Sequence, residues 1–221
     1  MSSRILRVNA DSPSPDVLAE AARLVARGGV LLYPTDTLYG LGAAVREPAA
    51  LARIFAAKRR PRGQPLPVII GALEQLELLT PELPEERLRL LEALWPAPLT
   101  VILPARHDLP PLLLGNGDSI AVRWPVAPLA GALCRLAATP VTATSANRSG
   151  AGNPRSFEAA YAQVGEEVDL ALDGGPPRDA RGSTIIDLRA SPVRLLRRGA
   201  LAATFLRERL GMLLEAPLDG D

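Results

Sequence analysis

The chain has 221 residues, 48% hydrophobic and 22% charged, with a formal net charge of +1. This is an ordinary globular composition, large enough for one generous domain and poorly suited to coating a polyanion. One cysteine, Cys134, excludes an intramolecular disulfide and a multi-cysteine zinc site, and a Ser-His-Asp triad or His-rich metal site would have to be built around the lone His107.

The opening MSSRILRVNADSPSP lacks the apolar core of a signal peptide. No later run approaches the roughly 18 apolar residues of a membrane helix, so a cytoplasmic protein without membrane contact is expected. Ser14-Pro15-Asp16 starts a helix, with Ser as N-cap, Pro at the first position and Asp in the first turn. Val17, Leu18, Ala21, Leu24 and Val25 repeat at helical spacing until Gly28 stops them. An apolar strand follows over 29–33. The next stretch, PTDTLYGLG at 34–42, reads as a polar loop that exposes backbone, because its glycines weaken a strand.

A helix over about 48–57 carries Leu51, Ile54 and Phe55 on one face; KRRPRGQPLP at 58–67 interrupts it, and 67–70 is a short buried strand. Helices are expected at 72–79 and 84–94, strands at 99–103 and 119–124, a helix at 127–138 and a strand at 140–144. Cys134 falls in the Leu129-Leu133-Leu136 helical pattern and reads as a buried structural thiol. Ser156 caps a helix to about Gln163, strands follow at 168–172, 183–188 and 193–197, and a last helix spans 201–210. The fold class is α/β, a single domain with a mixed sheet and helical cover, since some strands follow one another without a helix. The domain is drawn over 1–206 and 207–221 as a C-terminal tail.

Five polar segments lie at the ends of apolar elements: 34–42, 58–67, SIAVRWP at 119–125, TSANRSGAGNP at 144–154 and RGSTIID at 181–187. Loops at one edge of a sheet can converge on a pocket. They bring Lys58, Arg59, Arg60, Arg62 and Arg123, joined by Arg197, together with Ser145, Asn147, Ser183 and Thr184. Such a set binds and polarises an anion, phosphate above all, and does not suit acid–base or covalent catalysis. Each segment taken singly also reads blandly, as cations at a helix end, an Asx turn, or strand formers.

These residues together resemble one family. PTDTLYGLG, the K-x-R of Lys58–Arg60 with PLPVII, WPAPLT at 95–100, SIAVRWP, TSANRSG, GSTIIDL and the closing LLRRGAL are similar to the YrdC/TsaC family of L-threonylcarbamoyladenylate synthases. The motifs stand in family order over about residues 15–205, and the chain resembles the short single-domain form. The resemblance implies a twisted mixed sheet flanked by helices, with a concave positively charged cavity. It implies formation of threonylcarbamoyl-AMP and pyrophosphate from ATP, L-threonine and bicarbonate or CO2, with Mg²⁺ arriving on the nucleotide. Partner proteins would then transfer the threonylcarbamoyl group to a tRNA adenosine beside the anticodon.

Carried over by position, Thr37, Arg123, Ala143 and Ser183 match threonine-site positions, with the Thr35 hydroxyl beside them. Arg60, Gln64, Ser145, Asn153 and Arg197 match ATP-site positions, joined by Asn147. Lys58 and Arg60 are the expected catalytic cations. Three positions depart from the family pattern: Ala97 replaces a usual Gly, Gln64 a frequent Asn, and Ile69 stands where some members have His. An RNA-binding module using the same cavity without ATP turnover is the alternative, and direct contact with tRNA or double-stranded RNA is compatible with either. A carbamoyltransferase module of the hydrogenase-maturation type is a third reading, although such proteins are much longer.

Overall fold

The computed structural model describes residues 3–179 and 181–214. The strands form two mixed sheets where one was expected. The first has the order β1 (Arg4–Arg7), β9 (Leu170–Asp173), β2 (Leu31–Pro34), β3 (Tyr39–Gly42), β8 (Thr144–Ser145). The second has the order β11 (Arg194–Arg197), β10 (Thr184–Asp187), β5 (Leu99–Pro104), β6 (Ser119–Arg123), β4 (Val68–Ile69), β7 (Val141–Thr142). The single strand expected at 140–144 is where the sheets meet. It breaks at Ala143, so β7 pairs with β4 in one sheet and β8 with β3 in the other.

The hairpin β2–β3 corrects the loop reading of 39–42. Leu31 pairs with Gly42 and Pro34 with Tyr39, antiparallel. The glycines that weaken the strand signal make room for Tyr33: a Cβ on Gly42 would lie 2.8 Å from Tyr33 Cε1. Only residues 35–38 turn, with the Thr35 hydroxyl donating to Leu38 O at 2.7 Å.

Helix α1 (Pro15–Ala26) begins where expected, with Pro at N1, but the Ser14 side chain makes no capping hydrogen bond. It buries Leu18, Ala21, Ala22 and Val25 in a core shared with Leu129 and Leu133 of α5 (Pro128–Leu136) and with Leu31 and Tyr33. Cys134 lies in that core, where burial pushes its thiol up to about 12, as a structural thiol requires. Leu32 and Leu41 point the other way, into a larger core with Leu51 and Ile54 of α2 (Pro48–Lys58), Leu94 of α3 (Glu85–Leu94), and Val101, Val122 and Ile186 of the second sheet. Strand β2 is therefore covered on both faces, the reason for its unbroken apolar run.

The segment expected as a helix at 72–79 is a 3₁₀ helix at Leu73–Leu78. β1, exposed and charged at both ends, and α4 (Pro111–Leu114), a single turn, escape the periodicity reading. Ser156 caps α6 (Phe157–Val164) by accepting the Ala159 N–H at 3.1 Å. The boundary drawn at 206/207 falls inside α7 (Ala203–Leu210), and Leu214 bridges back to Val193. Residues 215–221 of the expected tail lie outside the described residues.

Candidate active site

A cavity of about 410 Å³ opens where the two sheets diverge. All five polar segments reach its wall. Of the residues singled out from sequence, Thr35, Thr37, Arg60, Arg123, Ala143, Ser145, Asn153, Ser183 and Arg197 line it; Lys58, Arg59, Arg62, Gln64, Asn147 and Thr184 do not. Four arginines face the cavity (60, 123, 181 and 197) and no carboxylate does, among the described residues.

One end is built by the turn after β2 and by the start of the second sheet. Thr35 and Thr37 stand 3.3 Å apart, oxygen to oxygen, and the Thr35 hydroxyl also accepts the Thr37 N–H. Arg123, at the end of β6, donates from Nη1 to Thr37 Oγ1 at 3.0 Å and lies 3.1 Å from Asp36 Oδ1. Both ionised side chains are buried. Thr100 and Ser183 share a 2.7 Å hydroxyl–hydroxyl bond beside them, since β5 and β10 run parallel with Thr100 opposite Ile185. Arg197 of β11 holds Ser183 O through Nε and Nη2, at 3.1 and 2.7 Å. Burial, with the charge of Arg123 adding, pulls the Arg197 guanidinium below its ordinary range.

The other end is organised by the C-terminus of α2. Arg59 takes a left-handed conformation (φ 49°), Arg59 N–H bonds Ala56 O and Arg60 N–H bonds Phe55 O. This is a Schellman ending built on a non-glycine residue. It sends Arg60 into the cavity, where Nη2 donates to Pro65 O at 2.9 Å and burial lowers its guanidinium. Its Nε is buried without a hydrogen-bond partner among the described residues.

Lys58 goes the opposite way, off the cavity wall. Only 2% exposed, its ammonium donates to Ser145 O, to Asn147 O at 2.8 Å and to Asn147 Oδ1 at 3.5 Å. Burial first, and the charge of Arg60 second, push it from 10.5 down to about 8. Asn147 is likewise consumed within the loop: Nδ2 donates to Arg148 O and Ala151 O, and Oδ1 accepts the Ser145 hydroxyl at 2.5 Å. Lys58 and Asn147 therefore hold the 145–151 loop against α2 and present Ser145 to the cavity. Gln64 is exposed, outside the wall, and Ile69 is buried in the core under α5.

Sequence reasoning missed Asp36, Thr100 and Arg181. Thr100 was readable from alternation, since it shares a face with Ile102, which also lines the cavity. Arg181 stands next to Gly182 of a named motif. Asp36 carried no separate signal between two hydroxyl residues.

The family model Sua5_yciO_yrdC, described as telomere recombination, matches residues 23–199. A threonylcarbamoyl-AMP synthase of Pyrococcus abyssi is 39% identical over 191 residues, 86% of this chain and 56% of the relative. One of Bacillus subtilis is 36% identical over 195 residues, 88% of this chain and again 56% of the relative. The chain thus spans little more than half the length of these two curated relatives. The crystal structure of P. abyssi Sua5 complexed with L-threonine superposes with a TM-score of 0.89 at 36% identity, covering 96% of this chain and 63% of that one.

Proposed function

The chain belongs to the Sua5/YciO/YrdC family, and from that premise we propose that it is a threonylcarbamoyl-AMP synthase, joining L-threonine, bicarbonate or CO2, and ATP with release of pyrophosphate. The observation that carries this reading is a single cavity with two unlike ends. At one, Arg123, Thr37 and Ser183 offer a planar cation and hydroxyls to an amino-acid carboxylate and side chain. At the other, Arg60 offers charge to a phosphate chain near Ser145, and Arg197, bonded to Ser183, adds a second cation to the wall.

Bicarbonate, where it is the carbon source, takes up a proton and loses water to give CO2. The threonine amine adds to CO2, forming the N–C bond and losing a proton to solvent; the product is a carbamate. One carbamate oxygen attacks the α-phosphorus of ATP, and pyrophosphate leaves with the electron pair of the broken P–O bond. The carbamate is already an anion, so no strong base is required. The protein's task is to hold oxygen and phosphorus in line and to stabilise charge on the leaving group. Arg60 and Arg197 are placed for that, and Lys58 acts through the loop that carries Ser145. The wall supplies hydroxyls and guanidinium groups without a carboxylate, a donor set that fits Mg²⁺ carried by the phosphates rather than held by side chains.

Among the described residues no helix is long and apolar enough to cross a membrane. We place the reaction in the cytoplasm, as the first step of tRNA threonylcarbamoylation, with partner proteins carrying out the transfer. A 410 Å³ cavity fits small molecules better than an RNA duplex, so the RNA-binding alternative is not favoured. Mass spectrometry of the product made with isotopically labelled bicarbonate tests the reading. An adduct of AMP and threonine bearing one labelled carbon is expected; an unlabelled product, or AMP alone, would overturn it.

A further inference from the structure

Asp36 and Arg123 form the least exposed ion pair among the described residues, with side chains 7% and 6% exposed. Thr35 and Thr37 face the cavity, whereas Asp36 between them does not line it and sits behind the guanidinium. Among the described residues no hydrogen bond reaches Asp36 Oδ1, although it lies 3.1 Å from Arg123 Nη1, and Oδ2 accepts the Val126 N–H at 3.4 Å. The carboxylate thus gives this end of the cavity a charge and no ligand atom. Two other arginines of the wall differ: Arg60, at the opposite end, and Arg197, beside Ser183, are bonded to the neutral carbonyls of Pro65 and Ser183, with no carboxylate paired to either among the described residues.

We propose that Asp36 is the positioning and selectivity residue of the cavity, cancelling the net charge of Arg123 from behind so that this end accepts the carboxylate of a zwitterionic amino acid and turns polyphosphate toward Arg60 and Arg197. The proposal rests on the function proposed above. Its physical basis is range. A compensated pair has only a short-range field, yet the outward N–H groups of Arg123 keep their two-point grip on a carboxylate at contact. An uncompensated arginine attracts any anion, and a polyanion most strongly.

Calorimetric binding to the full chain without ATP tests this. In the unmodified protein pyrophosphate is expected not to displace threonine. In Asp36→Asn pyrophosphate is expected to displace it, and the threonine Kd to rise about tenfold or more, while kcat at saturating threonine stays within about threefold. An aspartate that merely braced the 124–126 turn would not alter anion competition. Displacement in the unmodified protein, or an Asp36→Asn variant with unchanged threonine affinity and unchanged indifference to pyrophosphate, would overturn the role of Asp36. If Asp36→Asn does not fold, the double variant Asp36→Asn/Arg123→Gln, lacking both charges, is expected to regain melting temperature; a double variant no more stable than the single one would overturn the pairing. A chain that binds no threonine at all would overturn the proposed function itself.

Discussion

Lys58 and Arg60 are two residues apart in sequence and part company in space. The left-handed turn at Arg59 separates them, and because Arg59 is not a glycine, nothing in KRRPRG announces it. The sequence therefore expects both cations to face one site, whereas the structure lines the cavity with Arg60 and turns Lys58 onto backbone carbonyls. A titration follows from the burial. With its proton held less tightly in the folded state (about 8) than in the unfolded chain (10.5), Lys58 contributes stability that rises with pH across that window and is lowest below it. Lys58→Met should lack this rise, so its melting temperature should lose ground to the unmodified protein from pH 8 toward 10.5. Parallel curves would place the Lys58 ammonium in solvent. At the end proposed for threonine, Arg123→Lys keeps the charge beside Asp36 but loses the planar fork. The threonine KM should rise about tenfold, the scale of a lost charge-assisted bond, with kcat little changed. A KM equal to that of the unmodified protein would show that Arg123 does not hold the carboxylate.

At the level of elements, boundaries set by proline, capping serine and apolar periodicity were legible. Pro48 opens α2, Ser156 caps α6, and the strands near 99, 119 and 183 stand close to their expected places. Three features were not, each because a tertiary contact decides it. Gly40 and Gly42 belong to a strand because the Tyr33 ring lies across them. The 140–144 run divides between two sheets because Ala143 N–H is taken by Pro67 O. β1 pairs only with β9, at a sheet edge, and sets only Leu6 against the core, with little apolar pattern of its own. The closing LLRRGAL motif has a similar cause: a Cβ on Gly199 would lie 2.3 Å from the carbonyl carbon of Ser183. Gly199→Ala must push the start of β10 away and move Ser183 from the cavity wall. We expect a loss of about 1–3 kcal/mol in stability by urea unfolding, with a raised threonine KM. An alanine variant matching the parent in both would mean that this backbone contact is not maintained in solution.

Across the whole molecule, the α/β class and the convergence of five polar segments were legible because each segment ends an apolar element. Which segment lines which end was not, since it depends on two sheets diverging at residue 143. That divergence makes one cavity from loops far apart in sequence, with Arg123, backed by Asp36, and Arg197, bonded to Ser183, at one end and Arg60 at the other. The central claim is that amino acid and nucleotide react there together. Pyrophosphate release from ATP, with threonine and bicarbonate each omitted in turn, tests it most directly. The two-ended cavity predicts release only when both are present and a fall to background when either is withheld; release at an equal rate without threonine would contradict it.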